Sequence, residues 1–485
     1  MLTNKKIKYH LFYKSLALCL LLIGGSCTGI LDKDPIATLD SSSFFQTAAD
    51  AEQAINAAYN PLLFNNTNNN FYWAFAVITG DEAIPGGDGS RSGIVEMESF
   101  TYTPRTEELN TFWKLQYKGI NQCNLVLDNL PNIEIDKEDK NRIMGEALFL
   151  RSYYYFMLSQ VFGDVPLYLA VLPPDELKIP KSARKEVFAQ IIEDCEEAAS
   201  ILPISYESSG TGRATKGAAL ALAAKTHLYL KEWEKVISKV DQIKSIDIYE
   251  LSVNYQDNFG ISTQNNSESV WEIQHANLQL GVGNFLNQWW ASRKIDGYGF
   301  AEVREEYIAD FEDGDPRRAF TAASNNEHYV GLTYKRSFSS TGHSPQKFIQ
   351  PDSTATQKAD GDINYPAIRY AEVLLWEAEA LIELNRLAEA ETPLEVVRNR
   401  ARNQAENPET TLPYIEATSE EQMREALRHE RKVELGLEMH RFFDLVRWGI
   451  AGEVLDGFQV GKHEVFPLPQ IEIDLNNALV QNAGY

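Results

Sequence analysis

The chain has 485 residues and carries 45 Lys and Arg against 69 Asp and Glu, which gives a formal net charge of −24. An apolar fraction of 44% is ordinary for a globular protein and excludes disorder of the whole chain. The acidity argues against binding to nucleic acid or to anionic lipid, because both need a concentrated basic surface.

The N-terminus is typical of a bacterial export signal. Lys5, Lys6, Lys8 and Lys14 precede the short apolar run 16–23, which cannot span a bilayer. Small residues then lead to Cys27, so we expect residues 1–26 to be removed and Cys27 to be lipidated; ordinary secretion, with Cys27 a plain residue, is the alternative. Losing four lysines and no acid changes the net charge from −24 to −28.

Apolar periodicity predicts a mostly helical protein. The first helix begins after Thr47, its N-cap, and runs to Tyr59 before Pro61. Further helices are expected at about 107–130, 138–162, 184–202, 214–230, 232–244, 371–385 and 420–448. Cys123 and Cys195 lie within these patterns and indicate buried free thiols, with a disulfide as the alternative.

Two segments interrupt the helices, at about 64–100 and 250–365. Both are rich in Asn, Gly and aromatic residues, and loops of this kind often carry function. Within the second, Ser269–Gln274 alternates like a short strand. The remaining helical scaffold then comprises about 47–250 and 366–450, within a single intertwined domain over 27–485.

Two helix pairs resemble each other across the second interruption. Ala224, Leu228, Leu230, Trp233 and Val236 match Ala378, Ile382, Leu384, Leu387 and Ala390 in spacing and character. Small residues where helices cross, followed by a bulky residue after the turn, are typical of tetratricopeptide units. Because the copies lie about 150 residues apart, large insertions separate the helical units.

Six segments in order resemble the SusD/RagB family of glycan-capturing outer-membrane lipoproteins. They are Arg151–Leu158 with Phe162–Leu167, Asp315–Arg318, Tyr365–Leu375, Arg428–Leu435, Arg441–Gly449, and Phe466–Gln470 with Gln481–Tyr485. The resemblance implies an all-α fold of tetratricopeptide-like helix pairs, an α-α superhelix, that carries an irregular ligand-binding subdomain. It also implies a partner, a SusC-like TonB-dependent transporter on which the lipoprotein lies.

Most charged residues in these segments indicate structural roles. Arg431, Glu434, Glu438 and Arg441 recur at helical spacing, where they can pair along one helix or with a neighbouring one. We interpret Asp444, Arg447, Arg369 and Glu372 in the same way.

Motifs for catalysis and for a cofactor are absent from the sequence: it has no nucleophile elbow, phosphate loop or dinucleotide fingerprint. Asp360-Gly-Asp-Ile-Asn364 offers alternating oxygens, but it departs from a calcium loop at Tyr365 and Ala371, so we interpret it as an Asp-rich turn, with structural calcium the alternative. Asp81-Glu82 is the adjacent acidic pair beside the first aromatic loop; a binding role is favoured over hydrolysis.

Aromatic and amide residues in the two loop regions predict the ligand site. Sugars present flat C–H faces to aromatic rings, and their hydroxyl groups hydrogen-bond to planar amides, carboxylates and guanidinium groups. The candidate ligand-binding residues are Trp73, Asp81, Asn287, Trp289, Trp290, Arg293 and Tyr298. For each Trp the alternative is packing of the loop onto the helices.

The sequence therefore predicts a surface glycan-binding lipoprotein with no enzymatic activity that delivers oligosaccharide or polysaccharide to the transporter. The alternatives are capture of peptide or another non-glycan nutrient, a surface glycoside hydrolase, and a protein-interaction scaffold.

Overall fold

Helices that pack against the next helix along the chain form most of the molecule. In the computed structural model, which describes residues 45–87, 91–355, 357–416 and 419–485, helix accounts for 50% and strand for 6%. The all-α tetratricopeptide-like class is confirmed. Residues from Thr47 to Tyr485 form one compact unit. The signal segment 1–26 and Cys27 lie outside the described residues.

Most of the longer helices lie close to their predicted bounds; the exceptions are the helix at Leu387–Gln404, for which no bounds were predicted, and the one at Glu420–Glu434, which is shorter than predicted. The longer helices are α1 (Ala48–Tyr59), α3 (Glu107–Asn129), α4 (Lys137–Phe162), α5 (Arg184–Ile201), α6 (Lys216–Tyr229), α7 (Trp233–Lys244), α11 (Tyr370–Glu383), α12 (Leu387–Gln404) and α13 (Glu420–Glu434). The shorter ones are α2 (Ser92–Glu98), α8 (Leu286–Trp290), α9 (Glu305–Ala309), α10 (Arg317–Thr321), α14 (Arg441–Trp448), α15 (Ala451–Val454) and α16 (Gln470–Leu475).

Successive helices form one continuous array. The packed pairs are α1 on α3, α3 on α4, α4 on α5, α5 on α6, α6 on α7, α7 on α11, and α11 on both α12 and α13. The contact between α7 and α11 joins the two helix pairs that resemble each other in sequence. The helical array therefore continues from α7 to α11, although the insertion separates these two helices in the sequence.

Helix α4 is the central helix, as its nearly all-round apolar pattern predicts. Its side chains are buried from Leu148 to Phe162, and the carboxylate of Asp136 caps its first turn at the N–H of Glu138. Gly163, with φ of 75°, ends it. The buried Arg151 forms a two-pronged ion pair with Asp194 of α5 at 2.7 and 2.8 Å.

The prediction of one helix over 420–448 is wrong, because the chain breaks between α13 and α14. Leu437 and Met439 adopt positive φ angles of 62° and 68°. Two tertiary hydrogen bonds use the break: Lys347 donates to the Gly436 carbonyl at 2.6 Å, and the Leu437 N–H donates to Glu82 at 3.0 Å. Backbone groups that are paired within a helix could not make these bonds.

Four short antiparallel ribbons organise the loop regions within the described residues. The strands pair as β1 (Ala83–Ile84) with β3 (Glu302–Val303), β2 (Ser269–Ile273) with β8 (Tyr365–Arg369), β4 (Ala322–Ala323) with β7 (Ser344–Pro345), and β5 (His328–Tyr329) with β6 (Leu332–Thr333). The predicted strand at 269–274 is confirmed as β2. Its partner β8, which the sequence did not reveal, closes the base of the insertion, and β1–β3 joins the insertion to the first loop region.

Buried ion pairs fasten the insertion to the helices. Arg317 of α10 contacts Asp315 at 2.8 Å and Glu434 of α13 at 3.1 Å. Arg369, at the end of β8, contacts Glu434 at 3.0 Å and Glu438 at 2.7 Å. These contacts confirm the structural roles predicted for Arg369, Glu434 and Glu438. Arg431 and Arg447 both pair with Asp444, which confirms the structural role predicted for these three residues.

Cys123 and Cys195 are confirmed as buried free thiols.

Candidate functional site

The two loop regions come together around one aromatic cluster. Trp73, from the first region, lies 5.6 Å from Trp289 and 6.0 Å from Trp290 between ring centroids. Phe71 lies 5.6 Å from Trp289, and Phe285 lies 5.0 Å from it. Aromatic pairs at these distances stabilise the junction beyond the burial of their area. The two loop regions that the sequence predicts to form the ligand site therefore meet in the structure.

The predicted stacking platform needs correction, because all three tryptophan rings are buried. Trp73, Trp289 and Trp290 have at most 1% of their surface exposed. Helix α8 directs Trp289 and Trp290 toward Trp73 of the first loop region. Packing of the rings against one another removes more apolar surface from water than exposure would. In this conformation they pack the two loops together, and their faces are not open to a sugar.

Asn287 is also buried and belongs to the support of the site. Its side-chain amide donates to the Lys358 carbonyl at 3.0 Å, and its oxygen accepts from the Gln350 N–H at 3.1 Å. These bonds tie α8 to Gln350 and Lys358, so this amide serves the loop rather than a ligand.

Asp81 faces the helical scaffold and not the aromatic cluster. Its carboxylate accepts from Arg441 at 2.7 and 3.0 Å and from Lys432 at 2.7 Å. Burial opposes ionisation here, but these two cations outweigh it and hold the pKa of Asp81 well below its ordinary value. The predicted ligand contact is therefore replaced by an ion pair that joins the first loop region to α13 and α14.

Glu82 shows why the acidic pair does not form a hydrolase site. Its carboxyl is fully buried, which raises its pKa to about 8, and one oxygen accepts from the Leu437 N–H. Burial closes Glu82 to a polymer, and the two cations occupy the carboxylate of Asp81.

Tyr298 is the predicted aromatic residue that does face solvent. Its side chain is 41% exposed, and its ring packs against Phe285 at 6.0 Å and Phe300 at 5.3 Å. The loop that carries it is pinned onto α8, because the Tyr298 N–H donates to the Gln288 carbonyl at 2.7 Å. The Phe300 N–H bonds the Trp289 carbonyl at 2.8 Å in the same way. The ring is thus held in place before any ligand arrives.

Arg293 lies on the same exposed loop. It begins a short 3-10 turn that Ser292 caps, because the Ser292 hydroxyl accepts from the Lys294 N–H at 3.2 Å. The first loop region approaches it closely: a Cβ added to Gly87 would lie 3.6 Å from the Arg293 guanidinium. Arg293 and Tyr298 therefore border the seam where the two loop regions meet.

Arg91 is a further site residue that sequence reasoning missed. Its guanidinium lies 4.9 Å above the Phe71 ring, on the edge of the aromatic cluster. It also lines a polar cleft of about 460 Å³, together with Ser92, Gly93, Glu96, Thr103, Arg105, Thr106, Glu107 and Glu108. The available signal was an arginine two residues after the glycine-rich run 86–89. We call Tyr298, Arg293, Arg91 and this cleft the Tyr298 surface.

The Asp-rich segment 360–364 forms a hydrogen-bonded turn. Asp360 accepts from the Gln279 N–H and Asp362 from the Asn277 N–H, each at 2.7 Å. These backbone groups engage the oxygens that a calcium ion would need. In the part of the chain that the structure describes, no group of three or more His, Cys, Asp or Glu side chains could hold a metal ion. Nor is any helix described here long and apolar enough to cross a membrane.

Comparison with known families identifies two matching models. The SusD family model matches residues 250–464, and the model described as "Starch-binding associating with outer membrane" matches residues 31–230. Among curated proteins, SusD-like protein P25 of Formosa agariphila is 26% identical over 95% of this chain and 97% of its own length.

Solved structures share the fold over most of the chain. A laminarin-binding SusD-like protein is 28% identical with a TM-score of 0.79, over 91% of this chain and 100% of that one. A SusD-like carbohydrate-binding protein of Bacteroides fragilis is 25% identical with a TM-score of 0.81, over 90% of this chain and 100% of that one.

Proposed function

Because this chain belongs to the SusD family, we propose that it binds a glycan at the outer membrane through the Tyr298 surface. The observation that carries the proposal is an exposed aromatic ring, fixed on a pinned loop, near the Arg293 guanidinium at the seam with the first loop region. Arg91, in that first loop region, lines a polar cleft. Such a ring can stack on the apolar face of a pyranose, while the cleft supplies partners for hydroxyl groups. The laminarin-binding relative supports this ligand class.

The protein binds without breaking bonds in this proposal. The acidic pair singled out from the sequence is committed to ion pairing and burial. Capture then depends on the complementarity of a preformed surface. The role of the buried tryptophans beneath this surface is to hold it in shape.

Replacement of Tyr298 by Ala tests the proposed site. We expect the affinity for laminarin or for soluble starch, whichever binds the unaltered protein, to fall about 10-fold, which corresponds to about 1.4 kcal/mol. Tyr414→Ala is the matched control, because Tyr414 is 65% exposed and belongs to neither loop region. Equal affinity of both variants for the glycan would refute the site, and binding of peptides but no glycan would refute the ligand class.

We also propose that the lipid on Cys27 anchors the chain and that a SusC-like TonB-dependent transporter receives the glycan. An apolar groove of about 550 Å³ between α3, the segment 166–178 and α16 supports a protein partner. Leu177 and Leu475 are exposed at this groove. Lys114, Lys118 and Lys178 line it, which is unusual on so acidic a chain and suits an acidic partner surface.

A further inference from the structure

A second cleft opens where the helical scaffold meets the insertion, and it shares no lining residue with the Tyr298 surface. It has a volume of about 300 Å³ and lies between Tyr206 and Tyr249. An adjoining lobe of about 250 Å³ shares part of its wall. The shared wall consists of Thr211, Gly212, Arg213, Trp271 and Glu272. Together the two lobes reach the size range of small-molecule sites. We call them the Tyr206–Tyr249 cleft.

Both tyrosine rings are held in place by the protein. The Tyr206 hydroxyl donates to the Ala214 carbonyl at 2.8 Å. The Tyr249 ring stacks on Tyr370, with centroids 6.1 Å apart and planes 26° from parallel. Each ring remains partly exposed at the cleft. A bound sugar would therefore meet two aromatic groups that need no ordering.

The polar wall presents amide and hydroxyl groups. The side-chain amides of Asn265 and Gln274 bond each other in both directions at 2.9 Å. Asn265 is exposed, and this pairing leaves it one amide hydrogen and one lone pair for a ligand. Thr211 lies on the wall that both lobes share.

The charged groups of the cleft are already neutralised by the protein. The Arg213 guanidinium donates to Glu146 at 2.8 Å and to Glu52 at 3.2 Å. Glu272 is buried and accepts from the Asn265 N–H and the Asn364 amide, each at 2.9 Å. Burial raises the pKa of Glu272, although these donors act against it. The cleft therefore suits a neutral, hydroxyl-rich ligand better than an ion.

From this combination we infer that the Tyr206–Tyr249 cleft is a second carbohydrate site, which binds neutral sugar units of the same polymer that the Tyr298 surface holds. The inference rests on the proposed glycan-binding function. Two separate contacts with one polymer raise the effective affinity without strengthening either contact.

Hydrogen–deuterium exchange with laminarin, or with soluble starch if laminarin does not bind, tests the inference. We expect saturating polymer to protect two segments of the unaltered protein, 204–215 and 285–300. Tyr206→Ala and Asn265→Gly remove the ring and the amide in turn. Gly suits position 265 because its φ is 56°. Each variant should lose protection at 204–215, keep it at 285–300, and bind the polymer about 10-fold more weakly. Tyr414→Ala should match the unaltered protein.

The outcomes separate this inference from the proposed function. Protection confined to 285–300 overturns the second site and leaves the Tyr298 surface standing. Protection at 204–215 that persists in both variants indicates a remote effect and also overturns the second site. If neither polymer binds the unaltered protein, the proposed function is wrong and the second site falls with it.

Discussion

Arg369→Met should destabilise the protein by removing the cation that joins the insertion to the helical scaffold. Arg369 is 1% exposed and donates to both oxygens of Glu438, at 2.7 and 2.9 Å. It also contacts Glu434 at 3.0 Å and forms an ion pair with Glu268. Met fills a similar volume but leaves these buried carboxylates with less positive charge, so the loss is electrostatic rather than a loss of packing.

The magnitude follows from the cations that remain. Breaking a buried ion pair from one side costs about 3–5 kcal/mol. Here Glu268 and Glu434 keep Arg400, at 3.0 and 2.5 Å, and Glu438 keeps Lys347 at 2.8 Å. No carboxylate is left without a partner, so we expect the lower end, about 3 kcal/mol.

Urea unfolding followed by tryptophan fluorescence measures this loss. With an m-value of about 3 kcal/mol per molar urea, a loss of 3 kcal/mol lowers the midpoint by roughly 1 M. Arg386→Ala is the control, because Arg386 pairs with Glu389 at the surface and its removal should leave the midpoint unchanged. If both variants unfold at the same urea concentration, the buried network contributes nothing to stability and the reasoning fails.

Three further predictions concern a buried acid, the thiols and the apolar groove. Burial raises the pKa of Glu82 from 4.5 to about 8, so its contribution to stability is complete below pH 4.5 and is lost as the pH rises through about 8. Glu82→Gln should therefore leave the urea midpoint unchanged near pH 5 and raise it at pH 9; equal shifts at both pH values would contradict this. Cys123 and Cys195 should resist iodoacetamide in the folded protein and react in 8 M urea, as mass spectrometry would show, because burial raises the pKa of both thiols. Leu475→Lys should reduce co-purification with a SusC-like transporter co-expressed from the same genome, whereas Val460→Lys, at another exposed apolar position, should not; equal recovery would exclude the groove as the contact.

Local signals predicted the helical scaffold well. Thr47 caps α1 at the Asp50 N–H, and the apolar run before Gly163 forms the buried α4, because capping and periodicity act within a few residues. The break after Glu434 could not be predicted in this way. It depends on tertiary hydrogen bonds from Lys347 and to Glu82, which lie far away in the chain.

The candidate site was predicted only in outline. The two predicted loop regions do meet in the structure, but local sequence does not say which side of an irregular segment faces the core. Trp289 and Tyr298 belong to the same aromatic-rich stretch, yet one is buried and the other exposed. The outcome depends on what packs against the stretch, here Trp73 and Phe71 from the first loop region.

The buried tryptophans and the exposed tyrosine are parts of one arrangement. The backbone carbonyls of α8 hold the Tyr298 loop by hydrogen bonds, and α8 is fixed because Trp289 and Trp290 lie against Trp73. Asp81 then ties the loop region of Trp73 to Arg441 on the scaffold. An irregular surface can be rigid when each exposed group rests on a buried one, and this rigidity lowers the entropy lost when a flexible glycan binds.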